Sequence, residues 1–463
     1  MDARLQDKVS ELADALGVPG VAASVWLDGA ATYAYHGVTS VENPLPVDGS
    51  TLFQTGSTGK TYTATAMMRL VEEGLVDLHA PVKRYLPELR LKDAYAEANV
   101  TVLQLFTHTA GWDGDVMTDT GDGDDALERY VALLADVEQV NPLGAAVSYN
   151  NAALSVAGRV IEVVTGSTFE RAVRDLLFTP LGLTSSFYFR DEVMSRRFCV
   201  GHENKADGEI SIRRPWGMTR ATAPAGGISS TTPDYLAWAR FHLGDGTAPD
   251  GTRLLSQQTL DLMKAPVESM AGSALGDFVG ISWLIRDVDG QRIVEHGGAM
   301  NGQYSELAMV PERGFALTIN VNCGPNGSEL IETLKRWALS TYVGIEQTDP
   351  VPVPLTAEEM TPYLGRFETV AAVVDLVPGS DGLLQALIEL KPATLAALTA
   401  AGEDAPEQPP FPLGVLADRT KYVVAHGPAR GMAGYFASDS AGVITGVHLG
   451  GRLATRVAAP AGR

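Results

Sequence analysis

A chain of 463 residues, 45% hydrophobic and 20% charged, can bury a large core and is longer than one usual domain, so two domains are expected. Its 56 Asp and Glu against 35 Lys and Arg leave a net charge of −21, which disfavours nucleic acid and anionic membranes as partners because no basic surface would release their counterions. Two cysteines, Cys199 and Cys323, support neither a disulfide framework nor a zinc site, and the absence of a signal-peptide core or of a bilayer-length apolar run points to a cytoplasmic protein.

Residues 3–16 place Leu5, Val9, Leu12 and Leu16 at helical spacing and stop at Gly17-Val18-Pro19-Gly20, which predicts an amphipathic helix. A hairpin follows, 21–26 and 31–36 about the turn Asp28-Gly29. Next comes Phe53-Gln54-Thr55-Gly56-Ser57-Thr58-Gly59-Lys60-Thr61, ahead of an apolar-periodic segment (Ala64, Met67, Met68, Leu70, Val71). Ser57 and Lys60 stand three apart, on one face of a helix about one turn apart. Free N–H groups and the dipole favour developing negative charge at such a helix start. The pattern suits a serine nucleophile activated by a lysine of lowered pKa. It also fits a plain helix start, or the second half of the nucleotide loop G-x-x-x-x-G-K-[ST]. The loop needs glycine at position 54, which is Gln54, and a strand where Val47-Asp48-Gly49-Ser50-Thr51 reads as turn.

Further along, 82–86 reads as a Pro-punctuated helix and 101–106 as a short apolar segment leading into Thr107-His108-Thr109-Ala110-Gly111-Trp112. The Asp- and Gly-rich stretch 113–125 lacks the ligand register of a calcium loop and reads as a solvated surface loop. If it borders the active site, it would repel anionic substrates. Val147-Ser148-Tyr149-Asn150-Asn151 opens a helical run to 164, and helix continues over 169–178. Pro224-Ala225-Gly226-Gly227 is a tight turn before a helix capped by Thr232 and Pro233. From 278 the period changes to two, with hairpins 281–286/292–296 and 304–310/315–320, then a helix over 329–342. Helices bracketing antiparallel hairpins predict an α+β domain over 1–345. Pro350, Pro352 and Pro354 mark a linker over 346–356. Over 357–463, six short strands (365–368, 372–377, 383–388, 422–425, 431–437, 443–449) predict a small all-β barrel or sandwich, with Ala- and Pro-rich 391–412 as a loop.

Ser57-Thr58-Gly59-Lys60, Tyr149-Asn150-Asn151 and His296-Gly297-Gly298 stand in the order S-x-x-K, Y-x-N, H-x-G. That order resembles the penicillin-recognising serine hydrolases: class C β-lactamases, penicillin-binding proteins, and related esterases and D-amino-acid peptidases. Residues 105–111 and 224–227 also look like segments of that family, and the resemblance covers roughly residues 10–345. The nucleotide loop explains none of the other motifs. The resemblance implies a β-lactamase/transpeptidase-like fold, an antiparallel sheet flanked by helices. It implies Ser57 as the nucleophile that forms an acyl-enzyme, Lys60 and Tyr149 as general base and acid, and Asn151 as the group holding Lys60 and a substrate carbonyl. It places an oxyanion hole at the backbone N–H groups of Ser57 and Ala299, with His296 and Gly298 on the strand beside them. A Tyr149 phenolate would need nearby cations, from Lys60 and from His296. His108 divides evenly between a structural and a site reading.

Cell-wall members carry Lys-Thr-Gly where this chain has His296-Gly297-Gly298, which turns the expected substrate from β-lactams and D-Ala-D-Ala toward small esters, amides or peptides. The C-terminal region resembles the lipocalin-like barrel that some of these hydrolases, and penicillin-binding-protein-type thioesterases that cyclise peptides, append. It would hold a ligand, cap the site or cover a sheet edge, a structural role being favoured. The leading expectation is a serine hydrolase acting without metal or cofactor. An acyl transferase or peptide cyclase using the same nucleophile is the first alternative. A catalytically inactive binding module is the second, against which the intact Ser57, Lys60 and Tyr149 argue.

Overall fold

The computed structural model describes residues 3–205, 208–400, 409–427 and 429–457. Helix α1 (Ala3–Leu16) leads into a hairpin of β1 (Gly20–Leu27) and β2 (Ala30–Gly37). Asp28 and Gly29 both take positive φ, 50° and 77°, so the two-residue turn twists with its strands. Helix α2 (Gly59–Glu72) carries Ser57 on the 3₁₀ turn that precedes it, and α3 (Asn151–Thr165) begins two residues after Tyr149. Further on lie α4 (Thr232–Leu243), six strands β3 (Glu268–Ser273), β4 (Gly276–Val279), β5 (Leu284–Val288), β6 (Gln291–Met300), β7 (Gln303–Val310) and β8 (Phe315–Val321), and helix α5 (Asn326–Val343).

These form one eight-stranded sheet in the order β2-β1-β8-β7-β6-β5-β4-β3. The N-terminal hairpin thus joins the late strands through β1 and β8, with Val21 opposite Val321. One face of the sheet packs on α1 and α5 through Leu5, Val9, Val25, Leu317, Leu330 and Leu334. The other carries the helical layer that contains α2, α3 and α4. Helix α2 is buried nearly all round, which is why its sequence lacks a polar face. Its threonines survive there because each hydroxyl finds a carbonyl: Thr61 to Thr58, Thr63 to Pro224 and Thr65 to Thr61.

Residues 351–356 run without regular structure along the C-terminal unit, with Val353 and Leu355 donating to Val415 and Gly382. That unit is a closed eight-stranded barrel, β9 (Gly365–Glu368) to β16 (Arg452–Arg456). Phe367, Leu376, Leu384, Leu413, Tyr422 and Val447 fill its inside. Eight strands stand where six were expected. Phe411–Val415 and Arg452–Arg456 were missed, each a five-residue strand with little alternation to read. The supposed loop 391–412 contains a helix, Pro392–Ala400, whose alanines and leucines are strong helix formers. Its residues 401–408 lie outside the described residues.

The barrel sits against the open edge of the large sheet. Strand β14 (Ala433–Ser438) lies against edge strand β3, and the Leu275 side chain at the β3–β4 turn abuts Gly451. An edge covered in this way cannot template pairing with another chain.

Candidate active site

The Ser57 turn is stitched to the sheet behind it. Thr58 Oγ1 donates to the His296 carbonyl at 3.0 Å, Tyr235 donates to Thr58 Oγ1 at 2.9 Å, and Ser305 Oγ donates to the Thr55 carbonyl at 2.7 Å. Glycines make the approach possible. A Cβ on Gly298 would lie 1.9 Å from the Thr55 carbonyl oxygen and 2.9 Å from Ser57 N, and one on Gly56 would lie 2.6 Å from Ala299 N. The amides of Ser57 and Ala299 therefore come side by side.

Lys60 is fully buried on the first turn of α2, with Nζ 3.1 Å from Ser57 Oγ. The same amine donates to the Ala225 carbonyl at 2.7 Å and lies 4.8 Å from the centre of the Tyr149 ring. Burial first, and then the charge on Arg452, push Lys60 well below the ordinary lysine range. Tyr149 moves the other way. Burial raises its phenol to about 12, against hydrogen bonding with Ser57 and the Arg452 charge, which pull it down. The combination favours an uncharged amine beside an un-ionised phenol.

His296 adds no charge either, contrary to the expectation above. Burial and the neighbouring Lys60 lower it to about 3. Its Nδ1 is 2.6 Å from the Gly297 carbonyl, which only accepts, so Nδ1 carries the proton and Nε2 keeps a lone pair. Asn151 is the first residue of α3, and its amide donates to Asp115 at 2.9 Å, while the Lys60 amine donates to Ser57 and Ala225. The neighbouring Asn150 caps α3 by accepting from Ala153 N–H, which fixes the chain at Tyr149.

Three residues that no motif singled out complete the cluster. Arg452, at the start of β16, forms a bidentate pair with Asp115 at 2.7 and 2.9 Å and sits 4.9 Å from the Tyr149 ring centre. The preceding Gly451 accepts from Tyr149 N–H at 2.9 Å. The barrel thus supplies part of the site as well as covering the sheet edge. An arginine after two glycines in a distant hairpin carries no sequence signal. His108, which the sequence left evenly divided, is buried against Tyr149 with ring centres 4.4 Å apart.

Two cavities lie near the cluster, neither of them lined by Ser57 itself. One, of about 320 Å³, is lined by Gln54, Asp122, Trp216, Arg220, Gly226 and Met300. The loop 113–125 borders it, strapped by Arg220, which pairs with Asp124 and Glu170 and donates to the Asp122 carbonyl. The other, of about 230 Å³, lies between Trp112 and Tyr149 on one side and Val370, Ile388, Leu449 and Arg452 of the barrel on the other. Among the described residues no group of His, Cys, Asp and Glu gathers to hold a metal ion, and no helix is long and apolar enough to cross a membrane.

The Beta-lactamase family model matches residues 5–341. The chain belongs to the β-lactamase family. Penicillin-binding protein 4 of Amycolatopsis lactamdurans is 34% identical over 371 residues, spanning 79% of this chain and 97% of that protein. A β-lactamase of Yersinia enterocolitica is 26% identical over 68% of this chain and 75% of its own length. Among solved structures, SurE superposes with a TM-score of 0.75 at 25% identity, covering 98% of this chain and 99% of SurE, barrel included. The octameric penicillin-binding protein homologue from Pyrococcus abyssi follows the same fold at a TM-score of 0.65 and 20% identity, over 95% and 97% of the two chains. Family members of this kind are serine hydrolases that act on small molecules.

Proposed function

We propose that this family member cleaves an ester or amide bond through an acyl-enzyme on Ser57. The 3.1 Å approach of a buried, pKa-depressed Lys60 to the Ser57 hydroxyl carries the reading. Ser57 Oγ attacks the substrate carbonyl carbon as its proton passes to the Lys60 amine. The carbonyl oxygen, now negative, takes hydrogen bonds from the Ser57 and Ala299 amides. On collapse, the proton on Lys60 moves through the Tyr149 hydroxyl to the leaving group, and the acyl group stays on Ser57. Water then enters where the leaving group left, gives its proton back along the same path, and frees the acid.

The leaving group departs on the side of Tyr149, where the 230 Å³ cavity under the barrel opens. By microscopic reversibility the second nucleophile enters there too. That cavity is roomy enough for an amine acceptor, which supports acyl transfer as a second reading. Intact-protein mass spectrometry with p-nitrophenyl acetate, a penicillin and a fluorophosphonate, beside Ser57→Ala, tests the proposal. An acetyl adduct and turnover that both vanish in Ser57→Ala are expected. No adduct from any reagent would overturn it. A long-lived penicillin adduct would move the substrate toward β-lactams, as the name of the Amycolatopsis relative suggests for that protein. Adding an amine acceptor to the ester assay separates hydrolysis from transfer.

A further inference from the structure

His108 takes a φ of +59°, a left-handed conformation few residues with a Cβ adopt, and its side chain is buried. Its partners show what the conformation achieves. The His108 carbonyl accepts from Ser148 N–H at 2.9 Å, and its ring Nδ1 accepts from Asn150 N–H at 3.1 Å. Residues 148 and 150 flank Tyr149, so one residue grips the backbone on both sides of the phenol. The N–H between them, that of Tyr149, goes to Gly451 of the barrel at 2.9 Å. Three successive amides are thereby fixed. The phenol ring is held as well, between the imidazole and the Lys60 amine that lies 4.8 Å from its centre.

We infer that His108 is a positioning residue for Tyr149 and acts through the lone pair on Nδ1. The inference rests on the proton relay assigned to Tyr149 above. Asn150 N–H is a fixed donor, so Nδ1 must stay unprotonated and the neutral ring carries its hydrogen on Nε2. Burial enforces this state, and the Arg452 guanidinium nearby reinforces it, pushing His108 well below the ordinary histidine range. Nε2 is sealed from solvent with no partner among the described residues, so the second nitrogen has no visible task. Thr107 and Thr109 bond each other at 2.8 Å across His108 and steady the turn that presents it. Asn150 ties the far side down by donating to the Trp112 carbonyl at 2.8 Å.

His108→Asn and His108→Gln separate the two nitrogens. Asparagine puts an acceptor where Nδ1 stands and tolerates left-handed φ. Glutamine carries its amide one carbon further, near the place of Nε2. The readouts are kcat and KM for p-nitrophenyl acetate and thermal melts, on the full chain, with Tyr149→Phe alongside. We expect His108→Asn to stay within about threefold of wild type, and His108→Gln to lose about 10²-fold in kcat at unchanged KM, as roughly 1 Å of misplacement does. An active glutamine variant beside an inactive asparagine one would assign the task to Nε2 and overturn the inference, as would equal rates in both. Should His108→Gln fail to fold, carbon-13 NMR of Tyr149 Cζ in His108→Asn decides: an unchanged resonance supports the inference and a displaced one refutes it. A fully active Tyr149→Phe would instead remove the relay itself.

Discussion

Adjacent glycines on β6 should respond in opposite ways to the same methyl group. A Cβ at Gly298 would lie 1.9 Å from the Thr55 carbonyl oxygen, 2.8 Å from Ser305 Oγ and 2.9 Å from Ser57 N. Real Cβ atoms keep at least 3.0 Å from such neighbours, so strand and Ser57 turn must part by about 1 Å. The obstacle is backbone and cannot swing aside. At Gly297 the nearest atom is Glu306 Oε2, at 2.9 Å, the end of a side chain that moves by a few tenths of an ångström. Gly298→Ala should therefore spoil the paired Ser57 and Ala299 amides and lower kcat by about 10²–10³, or ~3–4 kcal/mol of barrier, the cost of one oxyanion donor. Gly297→Ala should stay within about tenfold of wild type, since its methyl touches neither amide. Burst-phase kinetics with p-nitrophenyl acetate isolates acylation, and a thermal melt checks folding. A folded Gly298→Ala of wild-type acylation rate would refute the oxyanion assignment, and equal damage at both glycines would refute the geometric argument.

Arg452→Met removes the cation that helps keep Lys60 unprotonated and leaves Asp115, which favours the protonated form. Both changes raise the Lys60 pKa. In the proposed mechanism the base is the free amine, present only above that pKa, so the acid limb of kcat/KM should move to higher pH. A limb that stays put or moves down would remove Lys60 as the base or Arg452 as its neighbour. Lys335→Met should destabilise the fold by about 3–5 kcal/mol at pH 8, because it leaves the buried Glu295 of β6 and Glu306 of β7 without the ammonium that lies 3.1 and 3.4 Å from them. Burial already holds Glu306 up at about 7, and an acid whose folded pKa is raised loses stability as pH rises. The deficit should therefore shrink at pH 5. Urea melts giving a loss that is small, or no smaller at pH 5, would contradict this account.

Much of the chemistry is local and was legible along the chain. Ser57 and Lys60 meet because one helical turn separates them, and Asn150 caps α3 by its own side chain three residues ahead of its partner. Alternation and turn glycines likewise marked the hairpins 20–37 and 303–321, since period two and positive φ are properties of neighbouring residues. The pairing of those hairpins, β1 against β8, depends on which apolar faces bury together, and no local pattern states it. The same holds for charge. Lys60, Tyr149 and His296 are ordinary letters in the sequence, and only burial among one another and Arg452 makes the amine weak, the phenol reluctant and the imidazole neutral. Arg452 and Gly451 reach the site, with Arg452 pairing to Asp115, by docking a barrel on an open sheet edge, a contact between distant segments. Motif spacing therefore determined where Ser57 and Lys60 lie, and tertiary packing alone decided the burial that shifts their titration, the Asp115 partner of Asn151 and the barrel's share in the cluster.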